Sequence, residues 1–201
     1  MPYSIKKKFI FFHVPKNAGC TINRVLYHAC KQHIIFPKLV YDMQNNYILD
    51  GCAERFIKQV KIKNPSDFFK FAFVRNPYDK LVSGWQYAMK ITKIDISFES
   101  FVKNLDKYRR YDTILWHSII SQTTHLSDKN NNLLIDWYGK VENIQKDIKI
   151  VLDKLNLSMQ KIDRLNAIKH KHWTKYYTPK LKDLVYKRFQ KDFENFNYDY
   201  N

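Results

Sequence analysis

One pattern occurs twice in this chain and constrains its fold more than any other feature. A strand-length apolar run ends in a turn that carries a proline and a basic residue, and the turn opens into an amphipathic helix. The first copy is Phe9-Ile10-Phe11-Phe12-His13-Val14, followed by Pro15-Lys16-Asn17-Ala18-Gly19-Cys20-Thr21. The helix it predicts over 19–32 carries Ile22, Val25, Leu26, Ala29 and Cys30 on one face, at α-helical spacing. The second copy is the run from Phe68 to Val74, followed by Arg75-Asn76-Pro77-Tyr78-Asp79-Lys80-Leu81-Val82-Ser83-Gly84-Trp85. Pro77 suits a first helical turn, where its missing N–H is not needed. Leu81, Trp85, Ala88 and Met89 supply the buried face of a helix over about 78–90.

A strand, a basic turn and a helix N-terminus together can hold a phosphate or sulfate group. Backbone N–H groups and the helix dipole face the anion, and a lysine or arginine supplies the full charge. Lys16 with Asn17, Ala18, Gly19, Cys20 and Thr21 forms one candidate anion site, and Arg75 with Ser83 a second. Gly19 is one of four glycines in 201 residues, so its place at the turn points to a backbone requirement. The Walker pattern GxxxxGK[ST] is absent, and Lys16 precedes Gly19 by three residues, which disfavours a P-loop NTPase. Taken alone, the first segment also fits a buried strand-to-helix turn with an exposed lysine. The second also fits an arginine that caps or pairs locally.

The remaining pattern alternates strands and helices. A short helix is expected over 54–61, another starting at Ser97, and another around 111–121. A strand at 133–138 precedes a helix at about 144–155, with Ile144, Ile148, Val151, Leu152 and Leu155 on one face. The last helix starts at Thr178-Pro179, a cap followed by a first-turn proline, and continues through Leu181, Leu184, Val185 and Phe189. The stretch from Val40 to Leu49 is ambiguous. This order predicts an α/β fold: a P-loop-like parallel sheet flanked by helices, in a single domain over 1–201 with no linker or repeat. In such sheets ligands bind beyond the carboxyl ends of the strands, where both basic turns fall.

Composition narrows the partners. A net charge of +16 calls for an anionic one. Nucleic acid would fit the charge, but no zinc-finger, RNP or helix-turn-helix signature supports it. Cys20, Cys30 and Cys52 are an odd number with no metal-ligand spacing, so neither a disulfide framework nor a metal site is expected. The apolar runs are strand-sized and no signal-peptide core precedes the first, which predicts a soluble, cytoplasmic protein unless the sequence is trimmed from an anchored one.

The two segments resemble the PAPS-dependent sulfotransferases of the carbohydrate-type branch. That branch includes the heparan sulfate 2-O- and chondroitin/dermatan sulfotransferases and small bacterial relatives. It pairs a loop of the form HIPKTGGTS with a motif of the form FVRNPYDRLVS; this chain has HVPKNAGCT and FVRNPYDKLVS. Leu134–Asn143 is similar to a VDFIGRFEN block of the family, and Asp192–Tyr198 to its terminal DFE-FGY. The resemblance thus runs in order along nearly the whole chain.

The resemblance implies the cofactor PAPS (3′-phosphoadenosine-5′-phosphosulfate), the product adenosine 3′,5′-bisphosphate, and a hydroxylated acceptor, with carbohydrate as its class. It implies that Lys16 and the Asn17–Thr21 backbone and hydroxyl hold the 5′ end, that Arg75 and Ser83 hold the 3′-phosphate, and that no metal is required. Lys16 suits the charge that develops on the leaving phosphate oxygen. Lys169 and Lys171, in the basic and aromatic run Lys169-His170-Lys171-His172-Trp173, match a segment that closes over the cofactor. They fit phosphate contact and an exposed basic loop equally. Asp50 stands where relatives often carry a catalytic histidine and is the candidate general base, with Glu54 second. His117 and Gln122 form a loose match to a family H-x-x-x-Q pair, one residue too widely spaced. Two other readings stay open from the residues: a non-catalytic polyanion-binding module, and a nucleotide-dependent phosphotransferase.

Overall fold

The computed structural model describes residues 1–36, 52–60, 62–93, 95–111, 119–158 and 171–200. It divides into two compact units that interleave in sequence, one from Met1–Val74 with Thr124–Ala167, the other from Arg75–Thr123 with Ile168–Asn201.

The first unit is built on a four-stranded sheet of β1 (Tyr3–Ser4), β2 (Phe9–Phe12), β3 (Phe69–Val74) and β4 (Trp137–Lys140), in that spatial order. β1 runs antiparallel to β2, while β2, β3 and β4 are parallel, with Phe11 opposite Phe71 and Phe73 opposite Gly139. The expected α/β class is therefore what the chain forms. All four residues of β2 are buried, as in a strand covered on both faces. On one face Phe9, Phe11, Phe71 and Phe73 meet Ile22, Val25 and Leu26 of α1 (Gly19–Cys30) and Ile144, Ile148, Val151 and Leu152 of the helix Ile144–Lys154. On the other face Phe12 packs edge-to-face on Phe56 of α2 (Cys52–Gln59). Each such buried aromatic or aliphatic side chain contributes about 1.5–3 kcal/mol.

The second unit is helical: α3 (Pro77–Thr92), α4 (Phe98–Lys103), α5 (Leu105–Tyr111), a 3-10 turn at Trp173–Lys175, and the long helix Pro179–Asn195. Helix α6 (Gln122–Leu126) runs across the boundary, so Ile144–Lys154 is α7 and Pro179–Asn195 is α8. The two expected caps form: Ser97 Oγ accepts from Ser100 N at 3.2 Å, and Thr178 Oγ1 from Leu181 N at 3.3 Å; Asn76, which the sequence did not mark as a cap, also accepts at Oδ1 from Tyr78 N at 2.9 Å. Tyr78 is the centre of an aromatic cluster with Trp173, Tyr177 and Phe193, ring centroids 4.9–5.0 Å away.

Two expectations need correction. The third long strand runs over Trp137–Lys140 and does not begin at 133, because Leu133 is drawn into an isolated bridge with Ser127 and pairing with β3 starts at Trp137. Leu184 was placed on the apolar stripe of α8 but is exposed, while Leu181, Val185 and Phe189 are buried. The backbone leaves helical geometry at Phe189 (φ −114°, ψ 22°), so one regular wheel does not describe this helix. The helix expected around 111–121 falls largely outside the described residues, as does the ambiguous stretch from Val40 to Leu49. Among the described residues no helix is long and apolar enough to cross a membrane.

Candidate functional site

The lysine turn sits at the carboxyl end of β2, next to that of its parallel neighbour β3. Its backbone is unusual: Lys16 (φ 65°) and Ala18 (φ 57°) are both left-handed, a region that costs a residue with a Cβ about 1–2 kcal/mol. Asn17, only 1% exposed, fastens the turn by donating from Nδ2 to Phe73 O at 2.8 Å. Ala18 is the N-cap of α1 and makes no side-chain cap, and no acidic residue lies in the first turn. An anion at this terminus therefore meets no competing carboxylate there. Thr21 is 3% exposed, while Cys20 is exposed and free.

Gly19 has a different reason from the one the sequence suggests. Its φ is unexceptional; it is needed because a Cβ would lie 2.0 Å from His13 Nε2. His13 Nδ1 in turn lies 3.5 Å from Asn23 Nδ2 of α1. His13 thus fills the space under the turn and braces it from below.

The arginine motif belongs to the second unit. Arg75 donates from Nε to Asp79 Oδ2 at 2.7 Å, and Nη2 stands 2.7 Å from the same oxygen. The local pairing left open by the sequence is thus present, and it fixes one edge of the guanidinium. The Arg75 side chain remains 16% exposed. Its main chain is held too: Gln122 Oε1 accepts from Arg75 N, and Gln122 Nε2 donates to Arg75 O, both at 2.9 Å. Ser83 is buried in the second turn of α3. Lys80, one turn earlier, is 4% exposed and donates to Ile120 O at 2.7 Å. It is a structural lysine and not part of the solvated charge.

The remaining candidates separate. Asp50, Lys169, His170 and His117 lie outside the described residues. Lys171 is exposed, just before the Trp173–Lys175 turn. Glu54 is poorly suited to act as a base. A hydrogen bond from Lys58 Nζ at 2.6 Å, followed by one from Lys129 N at 3.2 Å, holds its carboxyl below the usual carboxylate range. Asp136 is structural: Oδ2 accepts from Lys70 N at 2.7 Å, and Oδ1 pairs with Lys70 Nζ at 3.1 Å. Burial raises the Cys30 thiol pKa, with Lys7 opposing weakly. Among the described residues no group of three or more His, Cys, Asp or Glu side chains could hold a metal ion.

The sequence reading missed Asp79 and Asp192. Asp79 could have been found, because Arg75 and Asp79 stand at i,i+4 at a helix start, the spacing of a paired charge. Asp192 opens the terminal block already quoted, but nothing local marks its role, since its partners are Ser121, Gln122 and Thr123, far away in sequence.

The chain is 31% identical over 101 residues to an uncharacterized protein of Archaeoglobus fulgidus, covering 50% of this chain and 78% of that protein. Among solved structures it is similar to a sulfotransferase from Alicyclobacillus acidocaldarius, with a TM-score of 0.46 and 13% identity over 73% of this chain. The chain spans 60% of the length of that structure. The sequence profile of the Sulfotransferase family matches residues 3–199, and the chain belongs to that family.

Proposed function

We propose that residues 1–201 act as one sulfotransferase domain that moves a sulfuryl group from PAPS to a hydroxyl of an acceptor, with carbohydrate as the acceptor class. The observation that carries this reading is the lysine turn: a left-handed, uncapped helix entry with no acidic residue in its first turn, in a member of the Sulfotransferase family. The residues present fit the cofactor's two anionic ends. Lys16, the Asn17–Cys20 backbone and the Thr21 hydroxyl hold the 5′-phosphosulfate. Arg75 and Ser83 hold the 3′-phosphate, with Lys171 and Lys169 as further cations on the segment before α8.

When bound, PAPS would supply an activated sulfuryl group, with adenosine 3′,5′-bisphosphate as the product. Lys16 stabilises the charge that builds on the departing phosphate oxygen, a contribution made in the transition state more than in the ground state. Asp50 takes the proton of the attacking hydroxyl. Asp79 keeps the Arg75 guanidinium from turning away, since it holds the Nε and Nη2 edge at 2.7 Å.

Calorimetric titration with adenosine 3′,5′-bisphosphate in the absence of metal tests the reading. Binding by the native chain, lost at least about a hundredfold in Arg75→Ala, is the expected outcome. A folded native chain that ignores the bisphosphate but binds ATP with magnesium would instead make it a phosphotransferase. Salt-sensitive binding of polyanions indifferent to both Lys16 and Arg75 would make it a binding module.

A further inference from the structure

We infer that Gln122 and Asp192 are positioning residues for the 3′-phosphate arginine, an inference that rests on the function proposed above. β3 ends at Val74, so the main chain of Arg75 has run past the ladder that serves its predecessors. A backbone N–H and C=O at such a point need partners from elsewhere. Gln122 supplies both with one side chain. Its amide oxygen accepts from Arg75 N, and its amide nitrogen donates to Arg75 O, each at 2.9 Å. The amide thus imitates one residue of a neighbouring strand.

Gln122 is in turn held by Asp192. The Asp192 carboxylate is 1% exposed and spends both oxygens on the entry to α6. Oδ2 accepts from Gln122 N at 2.8 Å, and Oδ1 accepts from Ser121 Oγ at 2.7 Å and Thr123 N at 2.8 Å. Asn195, one turn further along α8, donates to Thr123 Oγ1 at 3.2 Å. A carboxylate bound by three donors is a stiff anchor, because each oxygen is oriented by its own hydrogen bonds.

The result is a fixed path from the final helix to the arginine: Asp192 sets Gln122, and Gln122 sets the Arg75 backbone. Asp79 sets the guanidinium at the other end of the side chain. A long side chain clamped at both ends loses little freedom when it binds phosphate, which is where preorganised binding gains its affinity. Neither Gln122 nor Asp192 need touch the ligand to act in this way.

The test compares two probes, adenosine 3′,5′-bisphosphate and adenosine 5′-monophosphate, which lacks the 3′-phosphate. Gln122→Met removes both bonds to Arg75 with little change of volume. Gln122→Glu keeps the acceptor and removes the donor. Asp192→Asn turns an amide nitrogen toward N–H donors. The expected result for both Gln122 variants is a loss of at least about tenfold in bisphosphate affinity, with monophosphate affinity unchanged. On an Arg75→Ala background, Gln122→Met should then cost nothing further. Hydrogen exchange at the Arg75 amide should accelerate in Gln122→Met, and this holds as a readout even where Asp192→Asn fails to fold. Equal weakening of both probes, or of neither, with a native chain that binds the bisphosphate, would overturn the inference alone. A native chain that binds no bisphosphate would overturn the proposed function and this inference with it.

Discussion

Gly19 lies so close to His13 that a Cβ built on it would stand 2.0 Å from Nε2 and 2.1 Å from Cδ2 of the imidazole. The ring has little room to retreat, because it stacks on Phe11 at 6.2 Å with its Nδ1 3.5 Å from Asn23 Nδ2. Gly19→Ala is therefore expected to destabilise the protein by about 1–3 kcal/mol, the usual cost of overpacking. His13→Ala added to it should recover most of the loss by opening the space. Thermal unfolding of the single and double variants checks this, and a Gly19→Ala protein as stable as the native one would show that the contact relaxes freely.

Ala18 occupies a left-handed conformation (φ 57°, ψ 20°) at the N-cap of α1, where the family form of the loop has glycine. The methyl group makes that conformation costly, and its absence would not. Ala18→Gly should raise stability by about 1 kcal/mol, since the strain relieved exceeds the extra freedom given to the unfolded chain. Urea unfolding gives the answer directly. A less stable Ala18→Gly protein would mean that the methyl group earns its place by packing.

The parts of the fold that local pattern controls were legible in the sequence. The strands at Phe9–Phe12 and Phe69–Val74 announced themselves as apolar runs, and Ser97 and Thr178 were readable as helix starts because capping is a short-range interaction. The start of β4 was not, because Leu133, Leu134 and Ile135 are apolar whether or not they join the sheet, and only the register with Phe71 decides. The basic motifs of the candidate site were legible as motifs for the same reason as the strands, since each is contiguous. Its scaffold was not. Asn17 reaches Phe73, and Asp192 reaches Gln122, across separations that no periodicity records. His13 could be seen as close to the loop, yet its steric hold on Gly19 depends on a ring orientation that only three dimensions supply.

Lys16 should matter more for turnover than for holding the spent cofactor. Its charge acts on an oxygen that becomes more negative as the bond to sulfur breaks, so its removal is felt chiefly in the transition state. Lys16→Ala is expected to lower kcat by about 100- to 1000-fold while weakening bisphosphate binding far less. Lys16→Arg should restore only part of the rate, because a planar fork does not reproduce a point charge. Single-turnover sulfuryl transfer alongside calorimetry separates the two effects. An equal fall in rate and bisphosphate affinity in Lys16→Ala would reduce the lysine to a binding residue.

The aromatic cluster of the second unit predicts a sensitivity to alkali. Tyr78 and Tyr177 both have phenol pKa values raised, in each case first by burial. The charges of Tyr200, Asp183 and Tyr186 add to this for Tyr78, and Tyr78 and Asp79 for Tyr177. Their hydroxyls are donors: Tyr177 to Tyr78 O at 3.0 Å and Tyr78 to Tyr200 O at 3.2 Å. A phenol that ionises less readily folded than unfolded stabilises the protein fully below its unfolded pKa, and the contribution is lost as pH rises toward the folded value. The tyrosines' contribution should therefore be flat up to about pH 10, the ordinary tyrosine value, and fall steadily above it. Tyr177→Phe should cost about 0.5–1.5 kcal/mol at neutral pH, for one hydrogen bond, and make the alkaline decline shallower. Thermal unfolding from pH 8 to 12, with tyrosinate absorbance followed in parallel, measures both. An alkaline decline of the same steepness in Tyr177→Phe would move its cause away from this tyrosine.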